Sequence, residues 1–164
     1  MITHQRLREL LHYDPLTGIF LRLVSANSRV KVGDIAGSLH KATGYRRIQI
    51  DGRDYMAHRL AWFYVTGEWP TADIDHWNLN RTDNRFCNLR EATNSENHAN
   101  MRARADNTSG FKGVYFHKPN RKWVTQITVI GKRIYLGSFD TKGSAHAAYA
   151  AAAKQHFGEF ARLS

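Results

Sequence analysis

Four polar residues stand at a spacing suited to hydrolytic chemistry: Asp75 and His76 side by side, Asn88 twelve residues after the histidine, and Asn97 nine residues further on. A carboxylate and an amide oxygen can grip one hard divalent cation, Mg²⁺ or Mn²⁺, while the adjacent imidazole faces a water molecule. Phosphodiester hydrolysis needs a base for the attacking water, a cation for charge on the phosphoryl and leaving oxygens, and a group that orients the base. His76, Asp75 with Asn97, and Asn88 can fill these roles in that order. A histidine of ordinary pKa, about 6.5, keeps a usable neutral fraction at physiological pH, so no large shift is required. The competing reading is a polar loop held by Asn and Asp turns.

The elements that must position these residues follow from the pattern around them. Ile74-Asp75-His76 ends a strand, a polar loop follows, Cys87 to Ala92 forms a second strand, and Thr93 or Asn94 caps a helix carrying Glu96, Asn97 and Asn100, a local β-β-α order. Upstream, Leu7, Leu10 and Leu11 predict a short helix from Thr3 to about His12, ended by Asp14-Pro15-Leu16-Thr17-Gly18. Short strands are expected at Ile19–Leu21, Val30–Val32, Ile48–Ile50 and Tyr55–Ala57, with Asp51-Gly52 as a hairpin signal. A buried helix is expected over His58–Val65, stopped by Thr66-Gly67-Glu68-Trp69-Pro70. The polar run Arg102 to Gly110 reads as a linker, placing a boundary near residue 105. Beyond it, three strands (Gly113–Phe116, Trp123–Ile130, Lys132–Phe139) precede a helix with seven alanines between Ala145 and Ala153, small enough on its faces to lie close against a sheet. The expected class is α+β: a mostly β N-terminal region, a ββα module, then a three-stranded antiparallel sheet packed on one helix, divided as residues 1–104 and 105–164.

Composition narrows the partner. The chain has 164 residues, with 24 Lys and Arg against 14 Asp and Glu, and a pI near 10.0. That surplus points to a polyanion, nucleic acid before membrane. The excess is +4 over residues 1–104 and +6 over the remaining 60, so the C-terminal part is the more basic per residue. One cysteine, Cys87, excludes an internal disulfide and a paired Cys-x-x-Cys zinc knuckle. With no apolar run of about 18 residues and no signal-peptide pattern at the start, the expectation is a soluble, intracellular protein without a membrane partner.

Asp75-His76, Asn88 and Asn97 together resemble the His-Asn-His/Asn (HNH) endonuclease signature, at the spacing of the phage and intron-encoded homing enzymes. Tyr55-x-x-His58-Arg59-Leu60-Ala61-Trp62, Asn80-x-x-Asp83-Asn84-Arg85, Asn88-Leu89-Arg90 and Ser95-Glu96-Asn97 extend the likeness over roughly residues 13–100. The resemblance implies a ββα-metal fold in which Asp75 and Asn97 bind the cation, His76 is the general base, and Asn88 holds the loop or His76 in place. Asn97 stands where many members have a third histidine, which favours Mg²⁺ or Mn²⁺ over Zn²⁺. From Ser109 onward, Gly110-Phe111-Lys112-Gly113-Val114, Trp123, Arg133-Ile134-Tyr135-Leu136-Gly137-Ser138-Phe139 and Ala145-x-x-Ala148-Tyr149-x-x-Ala152 resemble the APETALA2/ethylene-response-factor DNA-binding domain. That family lays its sheet in the major groove, so the likeness implies readers at Tyr115, His117, Arg121, Gln126, Thr128, Arg133 and Tyr135. The pairing is similar to free-standing phage HNH endonucleases and implies double-stranded DNA as partner and the cytoplasm of a bacterial host as location. One site per chain makes nicking natural for a monomer, the favoured state, while a dimer or sequential nicks would cut both strands.

Several residues carry two readings. His58 packs in the core beside Trp62 or touches a phosphate, the structural role being favoured. Asn84 and Arg85 fix the loop or contact DNA. Arg46, Arg47, Arg53, Arg102 and Arg104 form a solvated face or flank a cleft as phosphate contacts, with contacts favoured. Trp62, Trp69, Trp77 and Trp123 are expected in cores, and Cys87 as a small buried residue. The functional alternative is a non-catalytic DNA-binding protein or transcriptional regulator with an inactive HNH module. RNA cleavage is disfavoured because A-form RNA hides its major groove.

Overall fold

A computed structural model describes residues 1–25 and 29–163. Its contacts divide the chain into two units, Met1–Glu91 and Ala92–Ser164. The class is mixed, with several small antiparallel sheets and, among the described residues, four α-helices.

In the first unit, Thr3 caps α1 (His4–Leu10) by accepting the Arg6 N–H, and Leu7 and Leu10 turn inward. The helix stops short of the expected His12, because Leu11 swings into extended backbone and starts β1 (Leu11–Asp14), pairing with β2 (Ile19–Arg22). Tertiary pairing wins over local periodicity there. Asp14 closes the hairpin by accepting the Leu16 N–H and the Thr17 hydroxyl. No strand forms over Val30–Val32; Val30 makes only an isolated bridge and a turn follows at Val32-Gly33. The next sheet runs β3 (Ser38–His40), β4 (Tyr45–Ile50), β5 (Arg53–Met56), with Asp51 and Gly52 both at positive φ in the tight turn that their sequence signals. Helix α2 (Ala57–Thr66) follows without a break and ends on left-handed Gly67. Its Leu60, Ala61 and Phe63 join Leu7, Leu11, Tyr13, Phe20 and Ile48 in one core, and Trp69 stacks on Phe63 at 4.4 Å. Strand β6 (Asp73–His76) pairs with β7 (Leu89–Ala92), which is entered through a 3₁₀ turn at Phe86–Asn88.

The second unit opens with α3 (Asn94–Asn100), then β8 (Val114–His117), β9 (Lys122–Val129), β10 (Lys132–Phe139) and α4 (Lys142–Phe157). The sheet order is β10-β9-β8. Thr141 caps α4, whose Ala145, Tyr149, Ala152, Ala153 and Phe157 are buried. Ala92 and Ala99 share that core with Ile127 and Tyr149, which is why the contact division falls at residue 91/92 and not at 104/105. The Arg102–Gly110 run is ordered by side chains at its far end: Asn107 Oδ1 accepts from Ser109 and Gly110, and Asn107 Nδ2 donates to the Phe111 carbonyl.

Gly113 lies under α4 at φ +70, and a Cβ there would sit 2.3 Å from the Tyr149 ring and 2.7 Å from the Gln126 carbonyl oxygen. Overpacking of this kind costs roughly 1–3 kcal/mol, before any strain from the left-handed backbone. Gly113→Ala is therefore expected to lower the urea midpoint of the second unit; an unchanged midpoint would show that Tyr149 yields freely.

Candidate active site

Ile74, Asp75 and His76 are all buried at the end of β6. Alternation along the strand sends Asp75 to one face and His76 to the other. The loop after them is wired by its own side chains. Asn78 Oδ1 accepts the Asn80 N–H, Asn80 Oδ1 accepts the Thr82 N–H and hydroxyl, and Asn78 Nδ2 donates to Asp83 at 2.7 Å. Asn88 reaches both ends of the loop: its Oδ1 accepts the Asn78 N–H at 3.0 Å, and its Nδ2 donates to the Asp83 carbonyl at 2.8 Å. Arg85 grips Asp83 through two guanidinium nitrogens at 2.8 and 2.6 Å, and this holds the Asp83 carboxyl down at about 2.

His76 is 4% exposed, with Nε2 3.1 Å from Asn84 Oδ1. Its ring lies 5.8 Å from Tyr45 and 5.2 Å, nearly perpendicular, from His58. Burial lowers its pKa, against the opposing pull of the Asn84 hydrogen bond and the Asp75 and Asp83 charges. His58 packs against Tyr45, away from solvent, and burial, reinforced by His76 and Arg59, pushes it down to about 3. Both imidazoles are thus favoured neutral, the state a general base requires.

Asp75, 8% exposed, accepts from Arg90 Nε at 3.0 Å and Arg90 Nη2 at 2.9 Å, both on Oδ2. The guanidinium in turn covers the Trp77 ring at 4.7 Å. Among the described residues no group of three or more His, Cys, Asp or Glu side chains is placed to hold a metal ion. The buried carboxylate of Asp75 is donor chemistry that suits a hard cation, one that keeps much of its water and takes one or two protein carboxylates.

Asn97 belongs to the second unit, on α3. Thr93 and Glu96 close a reciprocal capping box at its start, and at its end Lys112 Nζ donates to the carbonyls of His98, Ala99 and Met101. Burial, with the nearby Arg162 charge, lowers Lys112 to about 8.

Six of the seven expected readers share one face of the C-terminal sheet. Directly opposed residues face the same way, and the register sets Tyr115 against Val124, His117 against Lys122, Gln126 against Tyr135, and Thr128 against Arg133. Lys122, Val124, Gln126 and Thr128 alternate along β9, while Ile127 turns to α4. Arg121 stands in the β8–β9 turn at φ +50.

Other expected contacts fall elsewhere. Asn84, weighed as a DNA contact, is 1% exposed and points inward. Trp77 is 51% exposed, not core, and Cys87 is exposed, not buried, because it sits on the outside of the 3₁₀ turn. Arg46 donates to the Gly37 carbonyl at 2.8 Å, and Arg104, exposed, makes a surface ion pair with Asp106. Arg53 and Arg102 are exposed and Arg47 is half-buried. Sequence reasoning missed Tyr45 and the pairing of Arg90 with Asp75; Asn88-Leu89-Arg90 was a visible signal for the arginine, whereas nothing local marks Tyr45.

These features define the class. Residues 55–99 match the family model described as HNH endonuclease, a span holding His58, Asp75, His76, Asn84, Asn88, Arg90 and Asn97. The chain is also similar to Protein 3.8 of Escherichia phage T7, 33% identical over 107 residues that make up 65% of this chain and 88% of that protein. Residues 55–99 are thus an HNH endonuclease family domain, in a chain related to that phage protein. No helix among the described residues is long and apolar enough to cross a membrane.

Proposed function

We propose that this protein is a metal-dependent DNA endonuclease of the homing type, with His76 as general base and Asp75 and Asn97 as ligands for Mg²⁺ or Mn²⁺. The observation that carries the reading is His76 itself: a buried imidazole, its pKa lowered by burial, whose Nε2 meets Asn84 and whose neighbour in sequence is a buried carboxylate, inside the HNH match. When bound, the cation supplies positive charge to the phosphoryl and leaving oxygens. His76 takes the proton of the attacking water as its oxygen bonds to phosphorus and the bridging oxygen departs. Asn88 keeps the loop closed around the base through its two hydrogen bonds. Arg90 orients the Asp75 carboxylate through Oδ2. The C-terminal unit is APETALA2-like and reads a DNA major groove with the face bearing Tyr115, His117, Gln126, Thr128, Arg133 and Tyr135, Arg121 adding a contact from the turn. Arg47, Arg53, Arg85, Arg102 and Arg104 are further phosphate contacts, the pairs of Arg85 with Asp83 and of Arg104 with Asp106 leaving both guanidinium groups exposed. A monomer with one such centre nicks one strand at a time.

The test is incubation of the full chain with supercoiled plasmid in Mg²⁺, Mn²⁺ or EDTA. Relaxed or linear product that EDTA abolishes is the expected result. Intact plasmid under all three conditions, with retarded DNA on a gel, would instead favour a DNA-binding protein whose HNH module is silent, the Arg90–Asp75 ion pair then being purely structural.

A further inference from the structure

We propose that Asn84 is the positioning residue for His76, and that the N-terminal β1–β2 hairpin holds Asn84 in place. The proposal rests on His76 being the base. An amide oxygen accepts and cannot donate, so across the 3.1 Å contact the Asn84 Oδ1 accepts a hydrogen bond from His76 Nε2–H. A neutral imidazole carries one N–H, so this acceptor fixes the tautomer and leaves the lone pair on Nδ1. The Tyr45 and His58 rings pack against the imidazole, with centroids at 5.8 and 5.2 Å.

Asn84 is held by residues far away in sequence. The buried Tyr13 hydroxyl donates to the Asn84 main-chain carbonyl at 2.6 Å. The hairpin turn presses on the same peptide: Gly18 is at φ +73, and a Cβ there would lie 2.5 Å from the Asn84 carbonyl carbon and 2.4 Å from the Arg85 nitrogen. Phe86 N–H donates to the Pro15 carbonyl at 3.1 Å, completing the seam. Tyr13, Pro15 and Gly18 all lie outside residues 55–99, so the segment that matches the family leans on a hairpin that the match does not include.

Heteronuclear NMR of the histidine ring nitrogens at neutral pH tests this on the full chain, independently of cleavage. The expected result is an Nε2–H tautomer at His76, a mixture of tautomers in Asn84→Ala, and recovery in Asn84→Asp, which keeps an acceptor oxygen. Nicking by Asn84→Ala should fall by about 10²-fold or more through kcat with KM unchanged, as expected when a base loses its orientation. If Asn84→Ala does not fold, Tyr13→Phe, which removes only the hydroxyl, should show the same tautomer mixing more weakly. An Nδ1–H tautomer in the unaltered chain, or a tautomer indifferent to both substitutions, would overturn the proposal. A chain that holds Nε2–H through Asn84 yet cuts nothing would refute the nuclease reading and leave the positioning role standing.

Discussion

His76→Ala is expected to lower metal-dependent nicking by about 10²–10⁴-fold, the usual contribution of a positioned general base, equivalent to ~3–5 kcal/mol of barrier. Duplex affinity should be essentially unchanged, since a side chain 4% exposed offers almost no surface to DNA. The alanine also strips Asn84 Oδ1 of its donor, and an unsatisfied buried acceptor costs about 1–3 kcal/mol. His76→Gln separates the two effects, because its amide N–H can still donate toward Asn84 while it has no basic nitrogen. Both variants should be equally inactive, with the glutamine closer to the unaltered chain in thermal stability. The measurement is initial nicking rate and electrophoretic retardation on one plasmid, with melting temperature alongside. Residual cutting within tenfold of the unaltered chain in both variants would assign the base elsewhere.

What the sequence reveals is what is encoded locally. The C-terminal strands and α4 are legible because their signals lie within a few residues: Thr141 at the N-cap, an alanine run, tight turns at Arg121 and Ile130-Gly131. Helix α3 announces itself through Thr93 and Glu96 three residues later. The conversion of Leu11 from helix to strand is not local, since it depends on pairing with Arg22, and β3 is three residues long with no apolar alternation to mark it. In the site, the loop residues Asn78, Asn80, Asp83 and Asn88 find each other within a short span, so composition and spacing expose them. Arg90 meets Asp75 across fifteen residues and Tyr13 meets Asn84 across seventy-one, and neither partner carries a mark of the other. Asn84 is the instructive case: a polar residue between Asp83 and Arg85 has the look of a surface contact, yet the hairpin turns it inward.

A chain ending at residue 104 is expected to lose cleavage as completely as His76→Ala, even though it retains Asp75, His76, Asn88 and Asn97. The reason lies in α3. Seven residues are well short of the roughly 12–15 that an isolated helix needs in water. In the full chain α3 is stabilised by burial of Ala99 with Ile127, Tyr149 and Phe160, by Ile130 N–H donating to Ser95 Oγ, and by Lys112 on its C-terminal carbonyls. All of these partners lie beyond residue 104. Removing them strips α3 of these contacts and sets its capping box, worth only ~0.5–2 kcal/mol, against the entropy of ordering seven residues at about 1–2 kcal/mol each. Asn97 would then have no fixed position from which to serve as a ligand. Weakened DNA binding alone predicts something different: cutting restored at high protein concentration or low salt. The decisive comparison is the truncated chain against a full-length Arg121→Ala, Arg133→Ala double variant on the same plasmid. The double variant should lose affinity, with a log-log salt slope shallower by up to ~0.9 for each phosphate contact removed, while keeping its rate at saturation. The truncated chain should stay inactive at every concentration; recovery at saturation would show that α3 forms without the C-terminal sheet.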